Sequence, residues 1–118
     1  MTREELKQRT KQFALRIMKL VDALPRGAAG YAIGNQLIRS GTSIGANYRA
    51  ACRGRSRAEF IAKLGTVAEE ADESCFWLEL IMDGRLIPSA LVAPLHREAN
   101  ELTAIFTTSV KSAKKSKI

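Results

Sequence analysis

The sequence is poor in the side chains from which catalytic and metal centres are usually built. Its 118 residues include only two cysteines, one histidine and 6% aromatic residues. A single histidine, His96, excludes a histidine-rich metal site, and two cysteines do not predict a disulfide framework. Neither Ser43 nor Cys75 has a base in a recognisable pattern, so no nucleophile, base and orienting group are in evidence. We therefore expect no enzyme activity, no cofactor and no metal site.

Long apolar runs and alternating patterns are also missing. No apolar stretch reaches the about 20 residues that a membrane-spanning helix needs, and no N-terminal leader ends in a small-residue cleavage site. No window alternates apolar and polar residues with a period of two, which argues against a sheet. The length suits one domain. These features predict a single-domain, all-α protein of the cytoplasm with no membrane partner.

Apolar residues recur instead at helical spacing in four segments. The predicted helices cover residues 3–24, 28–53, 56–83 and 89–112. The first and third begin at capping boxes, in which Thr2 or Ser56 is followed three residues later by glutamate. Short connections between four helices favour an antiparallel up-and-down four-helix bundle over residues 1–112. The lysine-rich segment 113–118 is predicted to be a frayed basic tail.

The second predicted helix contains glycines four residues apart, which weaken an isolated helix by about 0.5–1 kcal/mol each. They are Gly30 and Gly34, then Gly41 and Gly45. We interpret them as notches that let a neighbouring helix approach closely, with a bend at residues 40–43.

The third predicted helix is apolar beyond the stripe that a bundle requires. A seam of apolar residues at alternating spacings of three and four runs along it, and Phe76, Trp77, Leu78, Leu80 and Ile81 surround it. A helix that is apolar on most sides is buried on most sides. We therefore predict a homo-oligomer in which a second chain covers the outer apolar side of the third helix. The alternative is a monomer with a few exposed apolar residues.

Charge supplies the strongest functional signal. The chain has 19 basic and 12 acidic residues, a net charge of +7, which favours polyanionic partners. Cations concentrate around residues 36–63, and we expect them to converge at one end of the bundle as a site for the phosphate backbone of RNA or DNA: Arg39, Arg49, Arg53, Arg55, Arg57 and Lys63. A basic protein without a specific partner is the plainer reading. The carboxylates Glu69, Glu70, Asp72 and Glu73 are interpreted as a solvated or interface face.

The segment from Arg39 to Asn47, RSGTSIGAN, together with Arg57, Glu59-Phe60 and Glu70, resembles the 23S ribosomal RNA intervening-sequence protein family. The resemblance implies a four-helix bundle assembled as a homopentameric ring, and it includes a branch that serves reverse transcriptases as an accessory protein. It also singles out Ser40, Ser43 and Asn47, as binding groups or as bonds within the second helix.

The leading hypothesis is therefore a non-catalytic nucleic-acid-binding protein, with structured RNA as the expected ligand. The alternative is a protein-interaction scaffold or accessory protein whose basic surface docks an acidic partner, such as a reverse transcriptase. Binding to an anionic membrane surface is the third possibility in order of preference.

Overall fold

Four α-helices make up most of the chain in the computed structural model, which describes residues 1–116. They are α1 (Arg3–Asp22), α2 (Ala28–Cys52), α3 (Arg57–Asp83) and α4 (Ser89–Lys115). No strand occurs within the described residues. The prediction of an all-α, four-helix protein is confirmed. Both ends of every predicted helix lie within three residues of the observed ends.

Side-chain caps fix the starts of α1 and α3. The Thr2 hydroxyl accepts the Glu5 N–H at 3.1 Å, and the Glu5 carboxylate accepts the Thr2 N–H at 3.3 Å, so the first capping box is complete. These bonds to Thr2 lower the pKa of Glu5. The Ser56 hydroxyl accepts the Glu59 N–H at 3.1 Å, which is half of the predicted second box. Each cap satisfies backbone donors that the first turn leaves unpaired.

One apolar core runs between the helices. Its largest completely enclosed side chains come from all four of them and include Phe13, Ile17, Leu37, Ile44, Leu64, Leu78, Ile81, Leu102 and Phe106. The Tyr48 ring of α2 packs on the Phe106 ring of α4 with centroids 5.2 Å apart. Helix α3 packs extensively against both α2 and α4, whereas α1 meets α4 less extensively, and there the Arg9 guanidinium donates two 2.7 Å hydrogen bonds to Glu98.

The position of α3 between two neighbours corrects the sequence interpretation of that helix. Leu78 and Ile81 are completely buried by the chain itself, and Trp77 and Leu80 are partly buried. Only Phe76 is largely exposed, at 51%. The apolar residues around α3 are therefore explained mostly within one chain, and the homo-oligomer stays a prediction.

Three of the four α2 glycines face side chains of the first helix or its end, and the fourth, Gly30, faces the Pro25 carbonyl of the α1–α2 connection instead. A Cβ at Gly41 would lie 2.8 Å from Cγ1 of Ile17, and one at Gly45 would lie 3.2 Å from Oγ1 of Thr10. Gly34 likewise faces the side chains of Val21 at 3.3 Å. The predicted packing notches are thus present, and α2 runs as one uninterrupted helix through residues 40–43.

The α3–α4 turn places an arginine where glycine is usual. The N–H of Leu86 bonds to the Ile81 carbonyl at 3.0 Å and that of Arg85 to the Met82 carbonyl at 3.1 Å, the paired bonds of a Schellman motif. Arg85 has φ of 55°, while Gly84 has an ordinary φ of −79°. The sequence signal at Gly84 therefore marks the helix end one residue before the left-handed position.

We expect Arg85→Gly to stabilise the protein by about 1 kcal/mol, because a left-handed conformation is unfavourable for residues that carry a Cβ. Urea unfolding followed by circular dichroism measures the change. Arg85→Ala is the matched control, since it removes the side chain but keeps the Cβ and should bring no gain. Equal stabilisation by both substitutions would contradict the conformational explanation.

The end of α4 extends into the segment predicted to be a tail. Helix α4 continues to Lys115, so residues 113–115 are helical rather than frayed. The hydrogen bonds that hold this end come from Arg57, described below. Residues 117 and 118 of the predicted tail lie outside the described part, and the division of the chain at residue 112 stays a prediction.

The described part of the molecule is elongated, with extents of 50 × 20 × 20 Å. Its long direction matches helices of 20 to 27 residues, at about 1.5 Å per residue. None of the helices described is both long enough and apolar enough to cross a bilayer.

Candidate nucleic-acid interface

Four helix termini meet at one end of the molecule. The guanidinium of Arg3, at the start of α1, lies over the Phe60 ring near the start of α3, 5.1 Å from its centroid. A cavity of about 340 Å³ at this end is lined by Arg3 of α1, Cys52 of α2, Arg57 of α3 and Ala113 of α4. We call this the basic end, and define it by Arg3, Arg53, Arg55, Arg57, Lys114 and Lys115.

Arg57 holds the end of α4 in place. Its guanidinium donates to the carbonyls of Ala113 at 2.7 Å and Lys114 at 2.9 Å. The last carbonyls of a helix have no partner inside the helix and carry negative partial charge, so a cation there both caps and stabilises α4. Arg57 therefore has a structural task that the sequence did not suggest. Its bonds hold the backbone of Ala113 and Lys114 next to the start of α3.

Arg53 and Arg55 are exposed on either side of the α2–α3 turn. The start of α3 follows at once, and its first-turn N–H groups add positive partial charge to the same region. Across residues 1–116, no carboxylate lies within salt-bridge distance of Arg49, Arg53, Arg55 or Arg57. Their charges are therefore not neutralised by close ion pairs within the chain.

The net charge of the molecule is confined to the half that contains the basic end. When each helix is divided at its midpoint, with Glu70 counted in this half, it has twelve basic and five acidic side chains. The opposite half of the described chain has six basic and seven acidic side chains. One half thus has a net charge of +7 and the other of −1. The field of the protein is correspondingly one-sided.

Three of the predicted site residues, Arg39, Arg49 and Lys63, are not part of the basic end. Arg39 precedes Arg53 by fourteen residues of continuous helix, a separation of about 21 Å. It lies near the acidic face of α3 instead: burial raises the pKa of Glu70, Glu73 raises it further, and Arg39 lowers it. Lys63 lies about 9 Å along α3 from Arg57. The expectation that Arg39 clusters with the others is therefore wrong.

The structure adds residues that the sequence interpretation missed. Arg3 and the lysines of α4, Lys114 and Lys115, reach the basic end because their helices start and stop there. They are far from the arginine-rich segment in sequence, and only the packing order of the helices brings them to it. The signal that could have found them is the cationic residue at the start of α1 and the lysines in the last turn of α4.

The serines and asparagine of the RSGTSIGAN segment bond to protein atoms. Ser40 is buried and accepts a hydrogen bond from the Ser74 hydroxyl of α3 at 3.0 Å. The Ser43 hydroxyl donates to the Arg39 carbonyl at 2.6 Å, and the Asn47 amide donates to the Ser43 carbonyl at 2.9 Å. Ser40 thus links α2 to α3, while the other two reinforce α2 itself. These bonds give all three residues a structural task.

A groove between α1 and α2 opens beside the basic end. Its volume is about 520 Å³, and the cations Lys7, Lys11 and Arg49 line it together with the small residues Gly45 and Ala46. Arg49 therefore lies in this groove rather than on the tip of the molecule. The groove connects with the basic end because Arg53 follows Arg49 by one turn of α2.

The remaining polar cluster lies between α3 and α4 and is unsuited to nucleophilic chemistry. Cys75 lies 3.3 Å from the Asn100 side chain, which in turn lies 3.4 Å from His96, and His96 lies 3.1 Å from Glu79. Burial raises the pKa of the Cys75 thiol, whereas reactive cysteines are exposed and have a lowered pKa. In residues 1–116, no group of three histidine, cysteine or acidic side chains is arranged to hold a metal ion.

Together the helices and the charge distribution define a small all-α protein with one strongly cationic end and a polar groove that opens beside it. The 23S rRNA-intervening sequence protein family matches residues 3–108, and the chain belongs to that family. It is similar to the crystal structure of a protein with unknown function from the S23 ribosomal protein family of Bacteroides thetaiotaomicron VPI-5482, at 33% identity and a TM-score of 0.85. That alignment covers 94% of this chain and 99% of the other. No curated protein matches the sequence.

Proposed function

We propose that the protein binds the phosphate backbone of nucleic acid, with structured RNA as the ligand, and that it does so in the cytoplasm without catalysing a reaction. The observation that carries the proposal is the segregation of charge, with +7 in one half and −1 in the other. Phosphate contacts give affinity without base recognition. Arginine suits them because its planar fork of donors matches phosphate oxygens.

We further propose that the four helices form an antiparallel up-and-down bundle and that five chains assemble as a ring. The bond from Arg57 at the start of α3 to Ala113 at the end of α4 supports the alternating directions. Exposed apolar side chains, Phe76 at 51%, Met18 at 46% and Leu15 at 43%, supply surface that a neighbouring chain could cover. Light scattering should give the mass of five chains, and a single-chain mass would overturn the ring.

The test of nucleic-acid binding uses fluorescence anisotropy with a labelled hairpin RNA at increasing salt. If about five phosphates are contacted, log affinity should fall with log salt at a slope on the order of −4 to −5. Replacing Arg49, Arg53 and Arg55 with glutamine should flatten the slope by about 2.7 and weaken binding at least roughly tenfold at low salt. Arg57 is left intact because its bonds to α4 would confuse a binding effect with a structural one.

The matched control replaces three exposed arginines of the opposite half by glutamine, which changes the net charge by the same amount. The control positions are Arg16, Arg26 and Arg97, which are all exposed. Circular dichroism checks that both variants keep the helicity of the wild type. The proposal predicts a much smaller loss for the control. Binding that ignores salt, no binding at low salt, or equal losses in both variants would overturn it. A protein partner that survives nuclease treatment of a pull-down would favour the scaffold alternative.

A further inference from the structure

The α1–α2 groove is an open channel between two helices rather than a closed pocket. Small side chains, Ala14 on α1 with Gly45 and Ala46 on α2, leave about 520 Å³ open between the helices. The groove starts next to the basic end. Its two walls are helices, so positions that face the groove recur about every three to four residues along each wall.

The cations on these walls repeat at one-turn spacing. On α1, Arg3 at the basic end is followed by Lys7 and Lys11 in the groove, each four residues apart, and on α2 Arg49 lies four residues before Arg53. Four residues of α-helix rise about 6 Å. Two rows of positive charge therefore continue from the tip of the molecule into the groove, at a repeat suited to successive phosphates of an extended strand.

The floor of the groove can bind a backbone but cannot stack a base. The hydroxyls of Thr10 and Thr42 donate to carbonyls of their own helices, at 2.8 Å to Leu6 and 2.6 Å to Ile38. No aromatic side chain is among the residues lining it. Binding of single strands through their bases relies on aromatic stacking, so the groove suits the sugar–phosphate backbone.

One residue that lines the groove, Glu4, is negatively charged and repels an anionic ligand. The Glu4 carboxylate lies 3.3 Å from the Lys7 ammonium and offsets part of its charge. Both side chains reach solvent, with Glu4 79% exposed, so the pair contributes little to stability. Removal of Glu4 should therefore change the ligand affinity of the groove much more than it changes the fold.

We propose that the α1–α2 groove holds the backbone of a single RNA strand, with phosphates on Lys7, Lys11 and Arg49, as the strand leaves the basic end. The inference rests on the proposed function and deepens it. It names the path that the strand takes over the surface and restricts the ligand there to an unpaired segment, because a groove between two adjacent helices is too narrow for a duplex.

The test compares variants with a fluorescein-labelled oligouridylate in anisotropy titrations. Lys11→Gln should weaken binding roughly threefold and flatten the salt slope by about 0.7. Lys19→Gln, an equal charge change at an exposed site two turns further along α1, should have a much smaller effect. Glu4→Gln should strengthen binding roughly threefold. Ala46→Leu fills the groove without changing any charge and should weaken binding roughly tenfold.

The outcomes separate the two proposals. If the wild-type protein binds the oligouridylate and the groove variants bind as Lys19→Gln does, the groove is not the path and the basic end alone binds. If the wild-type protein binds neither the oligouridylate nor the hairpin RNA at low salt, both proposals fail. Protection of Lys7 and Lys11, but not of Lys19, from acetylation in the presence of the oligouridylate would support the groove independently of affinity. Equal modification with and without the oligouridylate would overturn it.

Discussion

Replacing Gly41 with valine should cost the protein about 3 kcal/mol of stability or more, a large fraction of the about 5–15 kcal/mol typical of a domain. A Cβ at this position would lie 2.8 Å from Cγ1 and 2.9 Å from Cγ2 of Ile17, a side chain that is completely buried. Valine adds two further methyl groups to that clash. Since Ile17 is completely buried, α1 and α2 must move apart at this point and lose packing there.

Urea unfolding measures this loss, and two comparisons make it specific. Gly65→Ala is the control for helix propensity, because a Cβ there meets nothing within 4 Å, and it should stabilise the protein by about 0.5–1 kcal/mol. The double variant Gly41→Val with Ile17→Ala should be less destabilised than the sum of the single variants. Additive losses, or a Gly41→Val protein as stable as the wild type, would show that the close approach does not limit the packing.

The second large effect concerns Tyr48 at high pH. Burial raises the pKa of its hydroxyl to about 12 from the usual 10.0, and the ring is only 4% exposed against Phe106. The folded state therefore holds the Tyr48 proton more tightly than the unfolded state does. The resulting stability is fully present below pH 10 and is lost as the pH rises from about 10 to about 12, by up to roughly 3 kcal/mol.

The measurement is the free energy of unfolding from pH 8 upward for the wild type and for Tyr48→Phe. Phenylalanine keeps the ring against Phe106 and has no proton to lose. The difference in stability between the two should therefore shift in favour of Tyr48→Phe above pH 10. A difference that stays constant with pH would show that the Tyr48 hydroxyl ionises as readily in the folded protein as in the unfolded chain.

The helices could be predicted from sequence because their ends are marked by local chemistry. Thr2 and Ser56 start helices as caps, and proline and glycine around residue 25 stop the first one. The α2 glycines were recognisable as notches because their spacing of four places them on one face. Which helix fills the notches was not recognisable, because that depends on which neighbour packs there.

The candidate site was only partly predictable, since its composition depends on where helices begin and end in space. Arg53, Arg55 and Arg57 are adjacent in sequence and stay together in the fold. Arg39 appeared to belong with them because it lies in the same segment, but the continuous helix α2 carries it away from them. Lys114 joins the site from the other end of the chain, and only the packing of α4 beside the start of α3 brings it there.

The end of α3 at Asp83 was predicted, but the residue that adopts the left-handed conformation after it was not. Glycine at position 84 signals a stop, but the backbone adopts the left-handed conformation at Arg85. The choice is made by the paired bonds to the Ile81 and Met82 carbonyls, and these depend on the full geometry of the turn. The sequence interpretation assigned the cover of the apolar residues around α3 to a second chain. In the fold, Leu78 and Ile81 are completely buried within the chain itself, where α3 packs between α2 and α4.

The elongated outline and the one-sided charge have a joint consequence for encounter. A body 50 Å long with its surplus charge at one tip is an electric dipole along its length, and a polyanion exerts a torque on it before contact. The screening length of about 10 Å at 0.1 M salt is much shorter than the body, so only the nearer tip responds. Under the proposed function, the cationic tip therefore meets the polyanion first, and the nearly neutral far tip is left facing away from it.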